Sequence, residues 1–137
     1  MPGAKNYMSV TEFLGTGGTP TLVALVDDDA PLRAALAFDL STAGFEVSAF
    51  ADAESAREGD PARWRCLITD LRLPGMSGLD LAESLRRDGQ NTPAILITTN
   101  PSRAVRFRAQ AASVEIVEKP LLNGTLVESI RRVLRSA

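Results

Sequence analysis

The sequence contains no histidine. That absence removes histidine-ligated zinc, Ser-His-Asp triads and Cys-His nucleophile pairs. Chemistry must fall to carboxylates, hydroxyls, lysine or arginine. Cysteine is nearly absent as well, and Cys66 alone excludes an internal disulfide. No long apolar run occurs. Leu22–Val26 and Ala94–Ile97 are typical, far short of the roughly 20 residues of a membrane helix. No Gly-x-Gly-x-x-Gly or Walker-type loop follows the first apolar run, which disfavours a nucleotide fold. Residues 1–20 carry one early Lys5, but Asn6, Ser9, Thr11 and Glu12 interrupt any apolar core. No secretory signal is read there, and with a single cysteine the expected compartment is a reducing cytoplasm.

What is present suits one ordinary globular domain: 137 residues, 45% hydrophobic and 23% charged. The net charge of −2 argues against indiscriminate binding to nucleic acid. Its distribution is uneven. Residues 1–70 carry five basic and eleven acidic side chains, residues 71–137 ten and six. Asp27-Asp28-Asp29 is the densest acidic point.

Residues 1–20 hold four of the ten glycines and read as a flexible tail. The domain is expected over 21–137. Leu22–Val26 is a continuous apolar run, as a strand covered on both faces requires. Pro31 opens a helix with Leu32, Leu36 and Leu40 at four-residue spacing, stopped at Gly44. Phe45–Phe50 reads as a weaker strand, and Asp52 caps a short polar helix. Cys66–Thr69 is a third strand, followed by turn chemistry at Pro74–Gly78 and a helix carrying Leu81, Ala82 and Leu85. Ala94–Ile97 and Val114–Val117 complete the strands. Pro101–Ala111 is a helix whose face is built on Val105, Phe107 and alanines. The last helix shows a stripe of Leu126, Val127, Ile130, Val133 and Leu134. Five strand–helix alternations predict an α/β fold, a parallel sheet with helices on both faces.

Sites in such sheets form at the carboxyl ends of the strands. Asp27-Asp28-Asp29, Asp70, Thr98-Thr99 and Glu118-Lys119 emerge there. Clustered carboxylates repel unless a cation joins them. Oxygen ligands without histidine or cysteine select a hard cation, Mg²⁺ foremost. A carboxylate can also be a nucleophile that becomes an aspartyl phosphate, its charge met by Mg²⁺ and a lysine. Asp70, Thr98 and Lys119 match acceptor, hydroxyl donor and ammonium. Each alone has a plainer explanation: Asp28 as a helix cap, Thr98 as a strand end, Lys119 as a solvated lysine. Their coincidence on four strand ends carries the argument.

The runs Leu25-Val26-Asp27-Asp28-Asp29 with Leu32-Arg33, Ile68-Thr69-Asp70-Leu71-Arg72-Leu73-Pro74-Gly75-Met76-Ser77-Gly78, Ile97-Thr98 and Glu118-Lys119-Pro120 resemble the receiver domain of two-component response regulators. The resemblance spans about residues 21–137. It implies a three-layer, flavodoxin-like (βα)5 fold with strand order 2-1-3-4-5. It also implies that Asp70 accepts a phosphoryl group from the phosphohistidine of a sensor histidine kinase or phosphotransfer protein. Asp28 would then bind Mg²⁺ directly and Asp27 largely through water. Asp70 and the backbone carbonyl of Arg72 would complete the protein ligands. Lys119 would pair with the phosphoryl group and Thr98 would turn inward to bond it. Slow hydrolysis of its own acyl phosphate would make the domain both substrate and weak catalyst.

Two positions depart from that pattern. The family usually has an aromatic residue three before the lysine, where this chain has Ile116. A smaller aliphatic rearrangement would have to replace the usual ring rotation. The residue after the switch hydroxyl is usually small, and here it is Thr99, whose bulk restricts access to Asp70. Arg72 is read either as an arm over the site or as a solvated loop arginine. Output is expected through protein contact, whether the receiver stands alone or belongs to a longer protein. Arg103, Arg106 and Arg108 with Arg131, Arg132 and Arg135 would make the face of the fourth and fifth helices basic, a possible homodimer surface. No direct nucleic-acid or membrane contact is expected. Two alternatives compete: a receiver-like binding module without phosphotransfer, and a haloacid-dehalogenase-type phosphatase. The phosphatase lacks support, because after Lys119 only Glu128 is acidic.

Overall fold

Three largely apolar runs and two segments that mix apolar and polar residues become five parallel strands. The computed structural model describes residues 20–122 and 124–136. The expected tail, residues 1–20, therefore lies outside the described residues except for Pro20. The strands are β1 (Leu22–Val26), β2 (Glu46–Phe50), β3 (Cys66–Asp70), β4 (Ala94–Thr98) and β5 (Val114–Glu118). They pair in parallel in the order β2-β1-β3-β4-β5, the order the resemblance implied. Helices α1 (Ala30–Thr42), α2 (Ala53–Arg57), α3 (Gly78–Arg87), α4 (Arg103–Ala111) and α5 (Thr125–Ser136) alternate with them, and a single 3-10 turn, Pro61–Arg63, follows α2.

The two-residue period of a strand sorts its side chains between two cores. Val23, Leu25, Ile68, Ile95 and Ile97 pack with Leu36 and Leu40 of α1 and Leu126 and Ile130 of α5. Leu22, Ala24, Val26, Leu67 and Leu96 pack on the other face with Ala53, Leu79, Leu81, Leu85 and Ala109. Both faces of β1, β3 and β4 are therefore buried, which explains their unbroken apolar runs. β2 lies at the sheet edge and alternates with polar residues.

The fourth helix corrects one expectation. Val105 packs against the core and Ala109 is buried, but Phe107 is 74% exposed. At about 100° per residue, position 107 lies far round the helix from 105, so the two cannot share a face. Among the described residues no helix is long and apolar enough to cross a membrane.

This strand order gives β1 neighbours reached in opposite directions, to β2 on one side and β3 on the other. Such a reversal opens a crevice at the carboxyl ends of the strands. Val26 pairs with Thr69 across β1 and β3. One residue further along stand Asp27 and Asp70.

Candidate functional site

Each acidic residue is placed by the element it follows. Asp27 continues β1: its amide donates to the Phe50 carbonyl at 3.1 Å. Its carboxylate Oδ1 accepts from the Asp29 amide at 2.9 Å. Asp29 is the cap of α1, accepting from the Leu32 amide at 3.1 Å with Pro31 in the first turn. The cap role weighed for Asp28 thus belongs to Asp29. Asp28 is exposed, Asp27 is 2% exposed and Asp70, the last residue of β3, is 8% exposed.

The fold brings three of the expected carboxylates together. Ligand oxygens of Asp27, Asp28 and Asp70 lie within 4.8 Å of one another. Lys119 directly follows β5 and is joined to Pro120 by a cis peptide. Its Nζ reaches Asp70 Oδ2 at 3.4 Å, and its amide donates to the Thr98 carbonyl at 2.9 Å. Thr98 ends β4 and is buried. Arg72 lies two residues beyond Asp70 with an exposed side chain. Thr99 is exposed, and Ile116 is half-buried against the same core as Val105.

One ammonium, paired with Asp70, therefore stands beside a cluster of three carboxylates. Burial raises the Asp27 carboxyl above the ordinary aspartate range. Asp70 and, more weakly, Asp28 push it the same way, against the Asp29 amide and the Lys119 ammonium. Cys66, the one soft donor, lies fully buried in β3, and burial pushes its thiol up to about 12. The accessible donors are all oxygens, with excess negative charge. That set fits a hard divalent cation held by Asp27, Asp28 and Asp70.

The family model of the response regulator receiver domain matches residues 23–131. The chain belongs to that family. It is 37% identical over 116 residues to the transcriptional regulatory protein FixJ of Rhizobium meliloti, covering 83% of this chain and 57% of that one. It is 33% identical over 116 residues to the C4-dicarboxylate transport transcriptional regulatory protein DctD of Pseudomonas aeruginosa, covering 83% and 25%. The chain thus spans between a quarter and about three-fifths of these relatives' length. Among solved structures, the one titled FixJ-N has a TM-score of 0.77 at 32% identity, covering 88% of this chain and 98% of that one. Vibrio cholerae chemotaxis protein CheY4 has a TM-score of 0.77 at 28% identity, covering 84% and 99%.

Several supports of this receiver domain's site escape sequence reasoning. A Cβ on Gly78 would lie 2.0 Å from the Asp70 carbonyl oxygen and 2.6 Å from Thr69 Oγ1. Only glycine lets the start of α3 approach β3 so closely. The spelling Met76-Ser77-Gly78 advertised a turn and a cap, and Ser77 and Asp80 do form a reciprocal capping box. It did not advertise contact with Asp70. Glu54 of α2 accepts from the Met76 amide at 2.9 Å, bracing the loop after Asp70 from 22 residues away. No local spacing signals that bond.

Proposed function

We propose that this receiver domain accepts a phosphoryl group on Asp70 from a phosphohistidine of a sensor histidine kinase or phosphotransfer protein, in a Mg²⁺-dependent reaction. The observation that supports it is the meeting of Asp27, Asp28 and Asp70 with the Lys119 ammonium at the switch point of the sheet. An Asp70 carboxylate oxygen attacks phosphorus. The new P–O bond forms as the P–N bond breaks, and the imidazole leaves with the electron pair. Lys119 stays beside Asp70 to meet charge on the phosphoryl oxygens, and Thr98 supplies a hydroxyl to another. Asp27, Asp28, Asp70 and the Arg72 carbonyl would hold the Mg²⁺. When bound, that ion shields the phosphoryl oxygens and offsets the carboxylate repulsion. Hydrolysis at the same position returns the domain to its starting state.

We read residues 21–137 as the receiver unit, with 1–20 preceding it, in a cytoplasmic protein. Phosphorylation would alter a protein-binding surface on the side of α4 and α5, where a homodimer would form. Phe107 and the exposed Arg103, Arg131 and Arg135 lie on those helices. No nucleic-acid contact is assigned to the domain itself.

The test is intact-mass measurement after incubation with acetyl phosphate and Mg²⁺. One phosphoryl-sized gain is expected, absent without Mg²⁺ and absent in Asp70→Asn. Equal labelling of Asp70→Asn would refute Asp70 as the acceptor. An unlabelled wild-type chain, even with a phosphohistidine donor, would return the binding-module alternative.

A further inference from the structure

Arginines on the flanks of the sheet pair with carboxylates: Arg57 with Asp88, Arg106 with Glu118, Arg108 with Asp80 and Glu83, Arg132 with Glu115. Arg33, beside the densest acidic run in the chain, does otherwise. Its Nη1 donates to the main-chain carbonyl of Asp27 at 2.7 Å. Among the described residues it forms no ion pair within 4.0 Å. The side chain is half-buried, and the Arg33 amide donates to the Asp29 carbonyl at 2.8 Å.

The main chain of Asp27 is thus held at both polar groups. Its amide is bonded to Phe50 and its carbonyl to Arg33. Its carboxylate is fixed at one oxygen by the Asp29 amide. Had the guanidinium instead gripped the Asp27 or Asp28 carboxylate, it would occupy the lone pairs that a metal ion needs. Bonding the carbonyl steadies the loop and leaves the carboxylates open.

We propose that Arg33 is a positioning residue for the acidic loop: its hold on the Asp27 carbonyl keeps the Asp27 and Asp28 carboxylates turned toward Asp70 and available to a divalent cation. This role rests on the metal-dependent phosphoacceptor reading above.

Charge and positioning predict opposite signs. A guanidinium near a cation site repels the cation, so a purely electrostatic Arg33 would weaken Mg²⁺ binding and its removal would strengthen it. A positioning Arg33 strengthens binding, and its removal weakens it. Arg33→Met keeps the stem and a good helix former. Arg33→Lys keeps the charge and a single donor.

The experiment titrates Mg²⁺ alone into wild type, Arg33→Met and Arg33→Lys by calorimetry. It also measures amide hydrogen exchange without metal, with thermal unfolding as a control for folding. Arg33→Met is expected to lose about tenfold in Mg²⁺ affinity, as when an outer partner of a metal site is lost. Arg33→Lys should recover part of that. The Asp28 and Asp29 amides should exchange faster in Arg33→Met while exchange in β3 is unchanged. Equal or tighter Mg²⁺ binding by Arg33→Met overturns the proposal, as does wild-type exchange in its loop. If Arg33→Met does not fold, Arg33→Lys decides: affinity below wild type with faster exchange in the loop supports positioning, and affinity equal to or above wild type contradicts it. A wild-type chain that takes up no Mg²⁺ refutes the cation reading and this role with it.

Discussion

On the flank of the sheet, Arg106 lies against Glu118, Arg108 against Asp80 and Glu83, and Arg132 against Glu115. On the carboxyl rim, three carboxylates face one ammonium. The flank pairs are exposed and solvent-screened, so each contributes little to stability. They also neutralise half of the basic face read from the sequence: Arg106, Arg108 and Arg132 have acidic partners, and uncompensated positive charge there falls to Arg103, Arg131 and Arg135. The rim keeps its imbalance inside the fold, and burial and repulsion raise the Asp27 carboxyl. Matched charge ties elements together, whereas the mismatched rim leaves carboxylate oxygens that could hold a cation.

The comparison breaks most sharply at Lys119. Lys119→Ala removes the only cationic side chain that forms an ion pair with the Asp27, Asp28 and Asp70 cluster among the described residues. Phosphoryl uptake from acetyl phosphate should slow by about 10²–10³, as when a transition-state donor is lost. A rate within a factor of two of wild type would remove Lys119 from the chemistry.

Asp27→Asn sharpens the contrast through stability. With its folded pKa raised, Asp27 contributes stability below its unfolded pKa and loses it as pH rises through the folded value. At neutral pH without metal the ionised group is therefore a burden, and Asn mimics its neutral form. Asp27→Asn should stabilise the metal-free protein at neutral pH, read as a higher midpoint in denaturant titrations. It should lose much of the stabilisation that Mg²⁺ gives wild type. Mg²⁺ affinity of wild type should decline on acidification starting above the ordinary aspartate range, because protons compete for Asp27. A metal-free variant less stable than wild type would contradict the repulsion argument.

The smallest effect belongs to the flank. Arg108→Ala should cost no more than about 1 kcal/mol, measurable through the single, buried Trp64. It should leave Mg²⁺ affinity unchanged. A tenfold change in affinity would show that the two regions are coupled.

Much of the fold was legible because burial on both faces leaves a continuous apolar run, as in Leu22–Val26, Cys66–Ile68 and Ala94–Ile97. The rim was legible because a parallel sheet gathers strand ends whatever their distance in sequence. Asp70 and Lys119 are 49 residues apart, yet both could be assigned to one edge. What stayed hidden depends on pairings across elements. Arg108 meets Glu83 and Asp80 across 25 and 28 residues, and no spacing rule marks such partners. Phe107 points outward because the helical period sets it about 200° round the axis from Val105, so its apolar character alone does not signal burial. Arg33 was visible only as part of a motif, because a side chain that bonds a carbonyl leaves no complementary residue type to find.

The account rests on cation and phosphoryl group meeting at one carboxylate. A crystal structure grown with Mg²⁺ and beryllofluoride tests this most directly. Beryllium should be bonded to an Asp70 oxygen, with Lys119 against a fluoride and the cation among Asp27, Asp28, Asp70 and the Arg72 carbonyl. A bare Asp70, or a cation seated away from those carboxylates, would contradict it.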